Sequence, residues 1–124
     1  MRTEQVVLSF VDAINAHDVE RIIGLCAKDH CFVDAYGTVV SADHVRSAWA
    51  AYFRFMPLYG IEVETLLCKG DTAAVFGWAW GGLTADNLTG KSWRRPCAWR
   101  ARTETNQIKL WQVYVDTKAV FDLL

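Results

Sequence analysis

Asp34 ends a short apolar run, Cys31-Phe32-Val33-Asp34, and is followed by Ala35-Tyr36-Gly37. A lone carboxylate at the end of such a strand, turned toward an apolar interior, makes a proton-transfer group, because burial disfavours its charged form. The same residues also spell a turn in which the Asp side chain bonds the local backbone. Asp116, at the end of the last alternating run, is a second candidate acid/base carboxylate; the alternative is a cap for the turn at Thr117 to Ala119. Arg100 supplies a cation for a ligand carboxylate or enolate oxygen if its face is the inner one, and a rim charge otherwise. His30 precedes the strand of Asp34, while His17 and His44 fall at helix boundaries and are expected to face solvent. Large rings accompany these groups at Trp49, Phe53, Phe76, Trp78, Trp80 and Trp111. Each buries about 150–250 Å² when covered, so together they either fill the interior or wall a flat pocket for an aromatic or polycyclic molecule.

A chain of 124 residues that is 52% hydrophobic can bury a core of its own, and we expect one domain over residues 1–124. The net charge of -1, with basic residues concentrated only at Arg94, Arg95, Arg100 and Arg102, predicts neither a nucleic-acid nor a membrane surface. The apolar runs are too short to span a bilayer, and Met1-Arg2-Thr3-Glu4-Gln5 reads as a helix start rather than a signal peptide, so a cytoplasmic protein is the expectation. Cys26, Cys31, Cys68 and Cys97 show no C-x-x-C spacing and no histidine pair beside them. We expect buried reduced thiols, no metal and no organic cofactor.

The elements that must position these groups are legible from periodicity. Val7, Phe10, Val11 and Ile14 recur at helical spacing and predict a helix from Thr3 to Ala16. Asp18 is placed to cap a second helix with Val19, Ile22, Ile23 and Cys26 inward. A short strand at Cys31 to Asp34 follows. Ser41 or Asp43 caps a third helix carrying Val45, Ala48, Trp49, Tyr52 and Phe53, which Pro57 ends. From Ile61 the period becomes two. Lys69-Gly70-Asp71-Thr72 signals a hairpin turn before a strand at Ala73 to Leu83. A polar loop at Ala85 to Lys91, a strand at Trp93 to Thr103, a turn at Thr105-Asn106 and a strand at Ile108 to Asp116 complete the chain, with a docked segment or helical turn in the tail. The layout is α+β: three N-terminal helices on a curved, mainly antiparallel sheet. In the third of these strands Phe76, Trp78 and Trp80 share one face, expected to be the inner one. Val75, Gly77, Ala79 and Gly81 share the other, offered to a second copy as a sheet-to-sheet homodimer.

Phe10 to Asp18, Phe32 to Gly37, Trp49 to Pro57 before Ile61-Glu62-Val63-Glu64, Gly70-Asp71-Thr72-Ala73, and Ile108 to Asp116 occur in an order that resembles the nuclear transport factor 2-like superfamily and, within it, the SnoaL-like group. The resemblance covers nearly the whole chain and implies a cone-shaped cavity between sheet and helices, and a dimer. Bacterial ketosteroid isomerases are similar through the first 37 residues. By that resemblance Asp34 falls on the general base, but Phe10 replaces the oxyanion tyrosine, Ala98 the protonated acid, and Cys26 and Trp49 the supporting tyrosines. Losing one oxyanion donor costs roughly 2.7–4 kcal/mol of transition-state stabilisation, which argues against isomerisation by that route. Limonene epoxide hydrolase-like members imply an Arg-x-Asp pair, absent from Phe76 to Trp80, and a last-strand Asp where Val113 stands. SnoaL-like polyketide cyclases imply one acid/base carboxylate near the last strand, for which Asp116 is the nearest candidate. With the three aromatic residues of the Ala73 to Leu83 strand inward, the resemblance turns Trp111, Val113 and Val115 inward and Asp116 outward.

Two readings of function follow. One is cofactor-independent acid/base catalysis, of isomerase or cyclase type, on a polycyclic or aromatic carbonyl compound, using Asp34 in a cavity lined by Phe10, Trp49, Phe53, Phe76, Trp78, Trp80, Ala98, Arg100, Trp111 and Val113. The other is a non-catalytic module of the same fold that binds a small apolar ligand or a protein partner.

Overall fold

Helix α1 spans Thr3–Asn15, and the residues it buries, Val6, Val7, Phe10, Val11, Ala13 and Ile14, form the stripe that its periodicity predicts. His17, in the left-handed region at φ 53, turns the chain out of it. Asp18 caps α2 (Val19–Leu25) by accepting from the Arg21 N–H at 3.1 Å. Strand β1 (Cys26–Val33) begins five residues before the expected position, directly at the end of α2. Gly37, at φ 82, allows the reversal into β2 (Val39–Ser41), a short strand the sequence pattern did not announce. Helix α3 (Ala42–Phe55) buries Val45, Trp49 and Phe53 and stops before Pro57. Four long strands follow: β3 (Gly60–Lys69), β4 (Thr72–Gly82), β5 (Ser92–Glu104) and β6 (Gln107–Val115). The computed structural model describes residues 2–83, 92–118 and 122. The expected loop at Ala85 to Lys91 and the tail segment from Ala119 lie outside the described residues, Asp122 excepted.

The strands form one open sheet in the order β2-β1-β6-β5-β4-β3, in which only β1 and β6 run parallel. The helices cover one of its faces, the α+β architecture expected from the sequence. Phe10 of α1 lies 4.9 Å from the Trp111 ring, Trp111 stacks on Trp99 at 6.2 Å, and Trp49 of α3 meets Phe32 edge to face at 5.6 Å. Asn15 ties the end of α1 to the start of β3: its amide donates to the Ile61 carbonyl at 3.0 Å and accepts from the Ile61 N–H at 2.8 Å.

Register corrects the expected facing of β4. Phe76 pairs with Ala98, and Ala98 with Tyr114; Val75 pairs with Trp99, and Trp99 with Val113. Trp111 and Val113 do point under the helices, so Phe76, Trp78, Trp80, Ala98 and Arg100 point away from them. Phe76 is 46% exposed, whereas Ala73, Val75 and Ala79 are buried. The small-residue face offered to a second copy is therefore the covered one. Its smallness has a cause: the big rings come from β5. Two smaller expectations also change. His17 does not face solvent freely; its ring stacks on Phe53 at 4.1 Å and its Nε2–H donates to the Tyr59 carbonyl at 2.7 Å. Cys68 is exposed on β3, while Cys97 is buried and all four cysteines carry free thiols.

Candidate functional site

The candidate residues separate onto two sides of the sheet. Phe76, Trp78, Ala98 and Asp116 do come together, with Glu64 and Tyr114, but they line an open groove of about 530 Å³ on the outer face. Trp80 belongs to a second groove, of about 480 Å³, beside His17 and Tyr59. Arg100 is exposed on the outer face. Phe10, Trp49, Phe53, Trp111 and Val113 lie inside, in the core between helices and sheet or packed against it.

Asp34 is a turn residue in this structure. Its Oδ1 accepts from the backbone N–H groups of Tyr36 and Thr38, both at 2.9 Å, while its own N–H and C=O bond Thr38 and Gly37. The strand parity that would point it inward ends with Val33, and the reversal at Gly37 claims the carboxylate. The expectation of a buried carboxylate facing an apolar cavity is corrected accordingly.

Asp116 lies just beyond β6, where it is exposed. It accepts from the Lys118 backbone N–H at 3.0 Å and pairs with Arg95 Nη2 at 3.4 Å. The Lys118 bond first, and the Arg95 charge after it, hold its carboxyl below the usual carboxylate range. It is an ionised group, suited to accept a proton or to balance a cation, not to donate.

The inner face of β5 carries Trp93, Arg95, Cys97 and Trp99 at alternate positions. Opposite stand Tyr52 of α3 and Tyr59 of the following loop, whose rings meet edge to face at 5.0 Å; Tyr59 is also 6.3 Å from Trp93. Burial pushes both phenols well up, with the neighbouring Cys97 adding to the effect, and pushes the Cys97 thiol up to about 12. All three groups are neutral donors at physiological pH. Trp93 Nε1, Arg95 Nε and Trp99 Nε1 are buried with no hydrogen-bond partner among the described residues. Each such group costs the fold about 1–3 kcal/mol.

His30 lies deeper, 2% exposed and 6.3 Å from the Phe10 ring. Its Nδ1–H donates to the Ile108 carbonyl at 2.7 Å, which makes Nε2 the acceptor of a neutral ring, and that atom is buried without a partner among the described residues. Burial lowers its pKa against the smaller opposing effects of the Ile108 bond and Asp29. Among the described residues no group of three or more His, Cys, Asp or Glu side chains is placed to hold a metal ion, and no helix is long and apolar enough to cross a membrane.

Tyr52, Tyr59, Trp93, Arg95, Cys97 and Trp99 were not among the expected site residues. For Trp93 the signal was Gly81, a position on β4 left without a side chain because the ring lies over it. A Cβ on Gly81 would stand 2.8 Å from the Trp93 ring.

The chain matches the SnoaL-like domain over residues 7–111. No curated protein matches it. Among solved structures it is similar to an NTF2-like protein from Burkholderia thailandensis, at 23% identity and a TM-score of 0.82, covering 99% of this chain and 98% of that one. It is similar to a hypothetical protein with a ketosteroid isomerase-like fold from Catenulispora acidiphila, solved with trimethylamine, at 18% identity and a TM-score of 0.84, covering 98% and 93%. It also resembles IdmH of Streptomyces antibioticus, described as a candidate polyketide cyclase, at 17% identity and a TM-score of 0.82, covering 99% and 98%. With the family matched over most of its length and the α+β fold shared with these structures, NTF2-like among them, the chain belongs to the SnoaL-like domain family.

Proposed function

We propose that this chain is a small-molecule protein that holds a flat, apolar or aromatic carbonyl compound against the inner face of β5, between Trp93 and Trp99 of the sheet and Tyr52 and Tyr59 of the helical side. The observation that carries the reading is the row of buried, unpartnered N–H groups on Trp93, Arg95 and Trp99. A surface that only packs pairs its donors or dispenses with them. A ligand bearing carbonyl or carboxylate oxygens supplies the missing acceptors, and its rings replace contacts among the aromatic side chains. Membership of the SnoaL-like family, and the likeness to a candidate polyketide cyclase, support a small-molecule role. The test is a titration of intrinsic tryptophan fluorescence with polycyclic ketones, phenols and flat aromatic acids. Saturable quenching that weakens in Tyr59→Phe or Cys97→Leu supports the proposal. No saturable change with any class overturns it.

A second reading adds acid/base catalysis of isomerase or cyclase type on the same compound. Its carboxylates are Asp34 and Asp116, and geometry favours Asp116, ionised beside Arg95, over Asp34, whose Oδ1 serves a turn. Turnover of a polycyclic carbonyl compound lost in Asp116→Asn, with binding kept, supports this; loss in Asp34→Asn alone returns the role to Asp34.

The outer sheet face we assign to a second copy of the chain. Phe76 and Tyr114 are 46% and 49% exposed there, and the face is self-complementary in charge, with Glu62 and Glu64 on β3 and the exposed Arg100 and Arg102 on β5. A two-fold axis sets one strand's acids against the other's bases. Sedimentation showing a dimer that Phe76→Glu dissociates supports the assignment; a monomer at micromolar concentration overturns it.

A further inference from the structure

Arg95 presents an incompletely used fork. On a guanidinium, Nε and Nη2 form the side edge whose two N–H groups meet both oxygens of one carboxylate in parallel. Here Nη2 is engaged by a single oxygen of Asp116, at 3.4 Å, long for a charge-assisted bond, and Nε is buried with no partner among the described residues. Asp116 cannot easily do better, because its other oxygen, Oδ1, is bound to the Lys118 N–H at 3.0 Å. The carboxylate nearest to the fork is thus held in an orientation that serves the turn after β6.

Arg95 also occupies a particular place. It lies between Trp93 and Cys97 on the inner face of β5, paired across the sheet with the buried Ala79, so that it sits within the wall of the proposed ligand site. The other arginines of this strand, Arg94, Arg100 and Arg102, are exposed on the opposite face, and Arg94 is taken up by Glu62 and by the rings of Trp78 and Trp80. Arg95 is therefore the one β5 cation that an occupant of the inner face meets. A neutral carbonyl compound offers one oxygen to Nε; only a carboxylate offers two, meets Nε and Nη2 together and balances the charge.

We infer that Arg95 is the anchor for a carboxylate on the ligand: the preferred occupant is a flat aromatic acid whose carboxylate takes Nε and Nη2 together while its rings lie beside Trp93. The inference rests on the proposed inner-face site and narrows its occupant. Asp116 is then a competitor for the fork, loosely seated and displaced on binding. Its charge tunes the affinity instead of taking part in recognition.

The experiment compares naphthoic acid with naphthamide, which has the same rings without the charge, by tryptophan fluorescence at neutral pH. The wild-type chain is expected to bind the acid about tenfold more tightly or better, the size of one charge-assisted hydrogen bond. Arg95→Gln removes the preference and brings the affinities for acid and amide together. Arg95→Lys keeps the charge but not the fork and retains only part of the preference. Asp116→Asn frees the fork and tightens acid binding severalfold, an increase that a damaged fold would not produce. Equal binding of acid and amide by the wild type, or tighter amide binding, overturns the inference and leaves the proposed function standing. An acid preference that survives Arg95→Gln overturns it as well. Failure of both compounds to bind overturns the proposed function and this inference together.

Discussion

The indole of Trp93 lies over Gly81 of the neighbouring strand, so close that a Cβ built on the glycine would stand 2.8 Å from its ring, and a Cβ on Gly77 would run into the Glu62 carbonyl oxygen. The two contacts differ in kind. The ring is a side chain that can shift at some cost, whereas the carbonyl belongs to β3 at the register shift between Val63 and Thr65 and can move only with the backbone.

Gly77→Ala is therefore expected to destabilise the chain more than Gly81→Ala. Overpacking of a close contact costs about 1–3 kcal/mol, and the backbone contact belongs at the upper end or beyond. Gly24→Ala in α2, where nothing lies within 4 Å of the added carbon, is expected to be neutral or to stabilise by about 0.5–1 kcal/mol. Urea midpoints of the three variants check the order. Gly77→Ala as stable as wild type would show that the strand yields freely.

Asn15 gives a sharper test of the α1 to β3 link. Asn15→Ala removes both partners of Ile61 and strands an N–H and a C=O, at about 1–3 kcal/mol. Asn15→Asp keeps the acceptor for the Ile61 N–H and loses only the donor, so it is expected to fall between wild type and Ala. Chemical denaturation of the pair checks the ranking.

At Asp34 the expected outcome separates a turn from a site. Asp34→Asn retains an oxygen for the Tyr36 and Thr38 N–H groups and is expected to cost little, while Asp34→Ala loses both bonds, at about 1–2 kcal/mol. Ligand affinity at the inner face of β5 is expected to be unchanged in both. A loss of affinity in Asp34→Asn with stability intact would place the carboxylate at the ligand.

The helices were legible because an amphipathic stripe on a helix has one buried side, and Phe10, Ile14, Trp49 and Phe53 mark it without ambiguity. The order of elements, read with the family resemblance, gave the architecture. Strand alternation defines two faces but not which of them is covered, and in β4 bulk alone points to the wrong one. The register shows why that fails: interior volume is shared across strands, and opposite Trp93 and Trp99 of β5 stand Gly81 and Val75 on β4. The bulk of Trp78 and Trp80 is accommodated outside by Arg94, 4.9 and 5.3 Å above their rings, and by Glu64, which accepts from the Trp78 indole at 2.8 Å. One misassigned face displaced Ala98 and Arg100 with it, and hid Arg95. His30 and Asn15 were visible as residues, but their roles depend on Ile108 and Ile61, 78 and 46 positions away, contacts no local pattern contains.

His30 makes stability depend on pH in a direction that follows from its surroundings. Burial lowers its pKa below the ordinary value of 6.5, and the Ile108 carbonyl and Asp29 only partly offset this. In the unfolded chain the ring takes up a proton as pH falls through about 6.5, while in the folded chain it resists until a lower pH. The unfolded state thus binds more protons in that window, and stability falls with pH there. Above 6.5 both states are neutral and the contribution is complete. Denaturation midpoints measured from pH 8 down to pH 5 are expected to decline below about 6.5. His30→Gln, which keeps a donor for Ile108 but does not titrate, is expected to lose that part of the slope even if it is less stable throughout. An undiminished slope in the variant would leave His30 a packed neutral ring with no part in it.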